Sequence, residues 1–506
     1  MAEPGWRGMR AWWRRRPLAR AFFWGMLAAA ALPPVHLLPV LLLSVPALLR
    51  LTDSARHWRQ AALTGWCYGF GLGLAGLYWI TEPVLTEARD FWWLVPFAAP
   101  LLAAAVACYT VVPVLAARLV PMGLGRVLVF AGAWALANLG QQFLFTGFPW
   151  NYWGTDWAIP GRLGDVFLQP AALVSVYGLT MMTVLLAATP LFGGRGLAAL
   201  VIGLGVWAGY GEARLRTPAP MTPLRLALIQ PNVPEPPDFS RPALIASWEQ
   251  LLRMSQAGIA EGAQVVIWPE AASPWLLAND PVAREQLAAA LGTVPVIAGG
   301  LRMASQTDFR NSIIVTSGPE PPLAVYDKWK LVPFGEYMPR WIPVKIIPSA
   351  LGSGFKPGPG PETIANIPGL PPFGPIICYE SIFSGQILDE ARRPDWIVNV
   401  TDDAWFGDTA GPRQHVANAR LRAVEEGLPL VRVANSGISA VIDPFGRVMV
   451  SMPLDHQGVL VAPLPAPQPA TFYARQGLRL PAGLAALLLA AGLGLGLRRR
   501  PRLPRG

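Results

Sequence analysis

Hydrophobic and polar positions divide the chain into three parts. Residues 1–211 contain long uncharged runs, residues 224–463 show the mixed pattern of a globular domain, and residues 480–497 are apolar again. A helix that crosses a membrane needs about 20 apolar residues. The first uncharged run is interrupted by Pro33-Pro34, which we interpret as the turn of a helical hairpin. The pattern therefore predicts a membrane bundle of about eight spans, drawn from the runs 21–49, 60–81, 91–117, 127–155, 166–194, 196–211 and 480–497.

A different periodicity begins after the proline-rich segment 217–223. Short β-rich runs alternate with helical stretches such as 242–261 and 414–426, and residues 430–452 alternate with turn signals, as a meander does. Strands and helices in this order are typical of a layered α/β sandwich. We therefore expect a membrane domain at 1–216, a linker at 217–223, a globular domain at 224–470, a C-terminal membrane helix at 478–497 and a basic tail at 498–506.

Positive charge is concentrated at the two ends of the chain. The net charge is +10, and arginines crowd the first twenty and the last nine residues, next to apolar runs. Such clusters mark the cytoplasmic flanks of membrane spans, so we expect no nucleic-acid partner. Counting spans from these flanks places the globular domain on the periplasmic side. The aromatic loop 146–161 would then lie at the outer interface, either as a belt at the headgroup level or as a lipid-handling wall.

Three residues with reactive side chains lie at or near the ends of β-rich runs: Glu270 in VVIWPEAASPW, Lys328 in VYDKWKLVPFGEYMP and Cys378 in GPIICYESIF. A carboxylate beside Trp268 and Pro269 can have its pKa raised enough to take a thiol proton. A nearby lysine and a helix N-terminus would both favour the thiolate, and the lysine would also stabilise an oxyanion. Together these groups predict acyl transfer through a thioester.

Each of these residues alone has a simpler interpretation. A buried cysteine is usually an inert small hydrophobic residue, a glutamate after a proline can cap a helix, and a lysine can be an ordinary loop cation. Joint occurrence in this order favours the triad. His415 has no second His or Cys at metal-ligand spacing, so we expect no metal and no cofactor. The glycine-rich segment 352–360 is interpreted as a mobile flap near the pocket.

Several motifs carry a resemblance to a known family. The order WPE, then a lysine followed eight residues later by Glu336 of VPFGE, then CYE, resembles the nitrilase, or carbon-nitrogen hydrolase, superfamily. The flanking apolar spans make the chain similar to the membrane-embedded branch of that superfamily, the apolipoprotein N-acyltransferases. The segments DDAWFGDTAGPRQH (402–415) and ANSGISAVIDPFG (434–446) also resemble that family.

This resemblance implies a fold and a role for each motif residue. The globular domain would be an αββα sandwich, with Glu270 as general base and then acid, Lys328 as the oxyanion stabiliser and Cys378 as the nucleophile. Phe239 stands where the family commonly has a tryptophan, which puts a stacking or loop-closing role there in doubt. The residues that would support catalysis or bind substrate are Glu336, Tyr379, Glu380, Phe239 and Trp268.

The implied reaction moves a fatty acyl chain from a phospholipid to the N-terminal amine of the S-diacylglyceryl-cysteine of apolipoproteins, the last step of lipoprotein maturation. The protein would be a monomeric, multi-pass protein of the bacterial inner membrane with a periplasmic catalytic domain. Two alternatives stay open. One is a membrane-tethered amidase or nitrilase that hydrolyses a small C–N substrate by the same triad, and the other is a lipid-binding scaffold without catalysis.

Overall fold

The computed structural model describes residue 13 and residues 15–86, 88–235, 237–339 and 354–498. The chain forms two compact units, one made of Met1–Arg214 with Gln476–Gly506 and the other of Leu215–Arg475. The arginines at positions 7, 10 and 14, and those from 499 onward, lie outside the described residues, as do residues 352 and 353 of the expected flap.

The first unit is helical. Among its described residues, three apolar stretches are long enough to cross a membrane, Ala98–Ala117, Ala171–Leu215 and Arg479–Leu497, and Pro17–Ala31 and Leu124–Gly140 are shorter apolar helices. The count of eight spans therefore stays a prediction. The α-helices are α1 (Pro17–Ala28), α2 (Leu41–Ser54), α3 (Trp58–Gly76), α4 (Glu82–Thr86), α5 (Ala88–Phe91), α6 (Ala98–Ala117), α7 (Leu124–Gly140), α8 (Arg162–Leu168), α9 (Ala171–Ala187), α10 (Gly193–Leu215) and the C-terminal helix Arg479–Arg498.

Two details of this unit differ from a simple hydropathy pattern. The segment around Pro33-Pro34 lies between the separate helices α1 and α2, whereas the run 127–155 is helical only as far as Gly140. The aromatic loop that follows is not an exposed belt, because its rings pack inside the unit. Trp153 is 1% exposed and stacks on Trp134 with ring centroids 4.2 Å apart. These rings therefore serve as core of the helical unit.

The second unit contains two mixed β-sheets. One sheet has the strand order β11-β1-β2-β3-β4-β5 and the other has the order β10-β9-β8-β7-β6. Within them β1, β2 and β3 run parallel, as do β6, β7 and β8. The strands are β1 (Met221–Gln230), β2 (Val265–Ile267), β3 (Val296–Ser305), β4 (Asp308–Thr316), β5 (Ala324–Asp327), β6 (Phe373–Ile377), β7 (Trp396–Thr401), β8 (Leu430–Ala434), β9 (Ser439–Ile442), β10 (Val448–Met452) and β11 (Gly458–Pro465).

The period-2 alternation of the strands separates two apolar layers. In β1, Leu226 and Leu228 lie in the core shared by both sheets, whereas Ala227 and Ile229 pack in the layer that contains the buried side of α11. The second sheet packs in the same way against α13. This arrangement is the expected αββα sandwich. Its helices are α11 (Arg241–Ala260), α12 (Pro281–Leu291), α13 (Ala410–Glu426) and α14 (Phe472–Gln476).

The ends of these strands position the candidate site. Cys378 follows β6 directly, Asp402 follows the neighbouring parallel strand β7, and Lys328 follows β5. Ligand and catalytic groups of α/β folds commonly lie at such carboxyl ends. The segment predicted as a linker, 217–223, differs in one respect, because β1 already begins at Met221 and its first residues pair with β11.

Candidate active site

Glu270 lies just beyond the end of β2, in a sharply confined position. The backbone of Gly299 on β3 passes so close that a Cβ there would lie 1.9 Å from the carbonyl oxygen of Pro269. The Glu270 carboxylate accepts hydrogen bonds from Asn311 Nδ2 at 2.7 Å and from Lys328 Nζ at 2.8 Å, both at Oε1. Its Oε2 accepts from the backbone N–H of Asp402 at 2.9 Å. Three donors from different segments therefore fix this carboxylate.

Lys328 is a buried cation between two carboxylates. Its backbone N–H donates to the Asn311 carbonyl, and Nζ donates to Glu270 at 2.8 Å and to Glu336 at 3.0 Å. The Lys328 side chain is 1% exposed. Burial acts to lower the pKa of Lys328, but the two carboxylates outweigh it and raise the pKa well above its ordinary value. Lys328 is therefore a permanent ammonium.

Cys378 occupies a strained turn at the end of β6. Its φ of 48° is in the left-handed region, which for a residue other than glycine costs about 1–3 kcal/mol. The following 3₁₀ helix, Cys378–Ile382, has only five residues. Burial raises the pKa of the Cys378 thiol well above its ordinary value and Glu270 adds to this effect, while Lys328 opposes it. The predicted effect of the lysine is present, but burial outweighs it, so the thiol needs a base.

Glu380 links the segment that contains Cys378 to the segment that contains Lys328 through hydrogen bonds. Its Oε2 accepts from the backbone N–H of Ile377 at 2.6 Å, and its Oε1 accepts from the backbone N–H of Trp329 at 2.8 Å. Tyr326 donates its hydroxyl to the same carboxylate at 2.9 Å. Burial raises the pKa of Glu380 to about 7, against the effect of these backbone donors. The neighbouring Tyr379 is buried and packs edge-on against Phe383.

Two of the predicted supporting residues lie elsewhere. The indole of Trp268 faces the helical layer, where its Nε1 donates to Ser255 Oγ at 2.9 Å and its ring meets Trp248 edge-on. Trp268 is therefore a core residue and not a substrate-binding one, since the alternation of β2 turns it to the outer face of the sheet. Phe239 is 74% exposed on the segment before α11, and no described contact joins it to the triad.

The sequence interpretation missed the residues that hold the triad. Asn311 donates to both Glu270 and Glu336, the second at 3.1 Å. His415, in the motif 402–415, lies 2.8 Å from Asp403, and Arg432 completes the cluster. Asn311 stands among other polar residues in FRNSIIV and gave no local signal, whereas the resemblance of segment 402–415 was the signal for His415.

Cys378, Asp403 and His415 also bring together donor types that can bind a metal, with ligand atoms within 4.8 Å of one another. The Arg432 guanidinium argues against a cation here. Its Nη2 lies 2.5 Å from Asp403 Oδ2 and 3.1 Å from His415 Nδ1, so a divalent ion would meet a fixed positive charge. The expectation that no metal binds stays a prediction.

Comparison with known proteins gives matches along nearly the whole chain. The family model for the apolipoprotein N-acyltransferase N-terminal domain matches residues 24–189, and that for carbon-nitrogen hydrolases matches residues 225–469. The apolipoprotein N-acyltransferase of Rhodopseudomonas palustris is 36% identical, with 97% of this chain and 96% of that protein covered. The chain belongs to the apolipoprotein N-acyltransferase family. The family member of Bradyrhizobium diazoefficiens is 38% identical over 94% of each chain.

Among solved structures, an amidase from Nesterenkonia sp. matches 51% of this chain and 94% of its own, at 18% identity and a TM-score of 0.38. Membership of the apolipoprotein N-acyltransferase family confirms the resemblance drawn from the sequence motifs. The family is membrane-associated, and the apolar helices of the first unit are consistent with that.

Proposed function

We propose that this family member transfers a fatty acyl chain from a phospholipid to the N-terminal amine of the S-diacylglyceryl-cysteine of apolipoproteins, through a thioester on Cys378. The observation that carries the proposal is the group in which the buried Lys328 joins Glu270 and Glu336 and interacts electrostatically with Cys378. Such a group fits acyl transfer because it combines a thiol, a base and a fixed cation.

In the first half-reaction Glu270 takes the proton of the Cys378 thiol as Sγ attacks the ester carbonyl of the phospholipid. A base is required because burial holds the thiol neutral. The negative charge that develops on the carbonyl oxygen faces the Lys328 ammonium. When the C–O bond breaks, the leaving lysophospholipid oxygen takes the proton from Glu270, and the thioester remains.

In the second half-reaction the acceptor amine attacks the thioester carbonyl. Glu270 takes a proton from the attacking nitrogen, the C–S bond breaks, and that proton returns to Sγ as the amide forms. Cys378 is 7% exposed, which limits the access of water to a waiting thioester. Glu336 keeps Lys328 charged and in place, and Glu380 holds the segment that carries the nucleophile.

The membrane arrangement is part of the same proposal. Both substrates carry acyl chains, and each CH₂ costs about 0.8 kcal/mol to bring into water, so chemistry at the bilayer is favoured. We place the membrane domain at 1–216 with the C-terminal helix at 478–497, about eight spans in the inner membrane, and the catalytic domain 224–470 in the periplasm. We expect a monomer. A reporter fused after Arg505 that lies outside the cytoplasm would overturn this topology.

The test is intact-mass analysis of the full-length protein after incubation with a phospholipid and no acceptor. We expect a hydroxylamine-labile fatty-acyl mass on the wild type and on the matched control Cys108→Ser, and none on Cys378→Ser. Addition of a diacylated lipopeptide should remove this mass and yield a triacylated product. No adduct, together with hydrolysis of a soluble amide, would favour the tethered amidase. Inactivity in both assays would favour the lipid-binding scaffold.

A further inference from the structure

The backbone carbonyl of Cys378 is held by two side chains. It accepts a hydrogen bond from Ser381 Oγ at 3.0 Å, and His415 Nε2 lies 3.0 Å from it and 2.8 Å from Ser381 Oγ. Both side chains are fully buried. Because this carbonyl belongs to the nucleophile itself, fixing its direction fixes the ψ angle of Cys378. With φ at 48°, the direction of the Cα–Cβ bond that carries Sγ is then determined.

His415 is itself immobilised. It lies on α13, and its Nδ1 is 2.8 Å from Asp403 Oδ1 and 3.1 Å from Arg432 Nη2. Arg432 also donates to Asp403 Oδ2 at 2.5 Å and to Asn399 Oδ1 at 2.6 Å. These groups are fully or almost fully buried. The ring that holds the Cys378 carbonyl is therefore anchored to both β7 and β8 of the second sheet.

We propose that His415 is a positioning residue, which holds the Cys378 carbonyl and so aims the thiol toward Glu270 and Lys328. The closeness of Cys378, His415 and Asp403 would also suit a cysteine–histidine–aspartate triad, in which the imidazole acts as base. The hydrogen bonds favour positioning. Nε2 lies 3.0 Å from the Cys378 carbonyl oxygen and 2.8 Å from Ser381 Oγ, and Nδ1 lies 2.8 Å from Asp403 Oδ1, so both ring nitrogens are engaged by groups other than the thiol.

The charge state of His415 agrees with this role. Burial lowers the pKa of His415, Arg432 lowers it further, and Asp403 opposes them. Nδ1 lies 2.8 Å from Asp403 Oδ1 and 3.1 Å from Arg432 Nη2, so the ring is held on that side whichever nitrogen carries its hydrogen, and Nε2 stays against the Cys378 carbonyl and Ser381 Oγ. The inference rests on the proposed function only because it takes Cys378 as the nucleophile. The contacts of His415 themselves do not depend on the substrate.

Two variants of the full-length protein separate positioning from base catalysis. In His415→Gln the side-chain amide can reach the place of Nε2 and donate to the carbonyl, but it cannot act as a base. In His415→Asn the shorter amide reaches only the place of Nδ1. We expect His415→Gln to form the acyl adduct within about threefold of the wild-type rate. His415→Asn should be slower by about thirtyfold or more, with an unchanged dependence on phospholipid concentration.

A second readout does not depend on the natural substrate. Alkylation of Cys378 by iodoacetamide, followed by peptide mass spectrometry, should slow in His415→Asn and shift to higher pH, because the thiol turns away from Lys328. It should stay close to wild type in His415→Gln. If the wild type forms no acyl adduct, the proposed function fails, and the alkylation rates still decide the role of His415.

Equal losses in the Gln and Asn variants would overturn the proposal and favour a base or a general structural role. Wild-type rates in His415→Asn would overturn it as well. If His415→Asn loses its thermal unfolding transition, Ser381→Ala replaces it, because that change removes the other donor to the same carbonyl and keeps the shape of the turn. We then expect about a fivefold slower adduct. An unchanged rate in Ser381→Ala would refute the inference.

Discussion

Replacing Lys328 with methionine tests the charge balance of the site. The change removes the ammonium, in an unbranched side chain one atom shorter, and leaves the buried Glu270 and the partly buried Glu336 facing each other across Asn311. At 2.8 and 3.0 Å, each lysine–carboxylate attraction is about 6 kcal/mol for an effective dielectric constant of about 20. Desolvation offsets much of this energy. Removing one partner of a buried pair typically costs about 3–5 kcal/mol, because the other charge stays buried and uncompensated.

The expected loss is large enough for a thermal assay. For a unit the size of Leu215–Arg475, 3–5 kcal/mol corresponds to a Tm lower by about 10 °C, measured by tryptophan fluorescence in detergent. The double variant Lys328→Met/Glu336→Gln removes the second charge and should recover more than half of this loss. Acyl-adduct formation should stay lower by about 10²–10³-fold in both variants, since neither has a cation for the oxyanion.

Lys356→Met is the matched control, because Lys356 is exposed and the same substitution there removes no buried charge. It should leave both Tm and adduct formation unchanged. A Tm of Lys328→Met within about 2 °C of the wild type would refute the reasoning, because it would mean that the buried pair contributes little. A double variant no more stable than the single one would contradict the charge-balance explanation.

Further predictions concern protonation and backbone space. Burial and Glu270 raise the pKa of Cys378, so its alkylation by iodoacetamide should still accelerate between about pH 8 and 10, and a plateau below pH 8 would contradict the neutral thiol. Three buried carboxyl groups have pKa values raised to about 7, so the folded state holds their protons more tightly than the unfolded state and stability is lost as pH rises through 7. These three groups are Glu380, Asp402 and Glu426. The Tm should therefore fall by about 5 °C from pH 6.5 to 8.5, and a rise in Tm would refute this reasoning. Gly299→Ala should slow adduct formation by about 100-fold, because the new Cβ meets the Pro269 carbonyl next to Glu270. Gly318→Ala, with nothing within 4 Å, is its control, and equal rates in the two variants would contradict the steric argument.

The sequence predicted the triad because each member lies at or near the end of a local apolar run. Cys378 follows Pro375–Ile377, and the break in hydropathy is visible without any knowledge of distant residues. The same pattern could not orient Trp268. The strand directly before it, VVI, is buried on both faces, and such a strand appears in the sequence as a continuous apolar run that does not distinguish one side from the other.

Contacts between distant segments explain the remaining differences. His415 and the Cys378 carbonyl are 37 positions apart, and Asn311 is 41 positions from Glu270, so no local pattern pairs them. The segment 352–360, expected to be a mobile flap, also makes contacts with distant residues. In its described residues 354–360, the N–H of Phe355 donates to the Glu336 carbonyl and that of Gly358 to the Lys328 carbonyl. The glycine and proline content of this segment indicated irregular backbone but could not predict these two hydrogen bonds.

The nucleophile cannot acquire its full surroundings while the chain is still being synthesised. The strand β1 at the start of the second unit pairs with β11, so that Met221 lies opposite Pro465. Glu270 receives the N–H of Asp402, which is 132 positions later in the chain. When a ribosome has just completed Cys378, Glu270 therefore still lacks one of its hydrogen-bond donors and the first sheet lacks its edge strand β11. Pairing over such separations is slow to form, so the surroundings of Cys378 are completed only after the second unit has been synthesised.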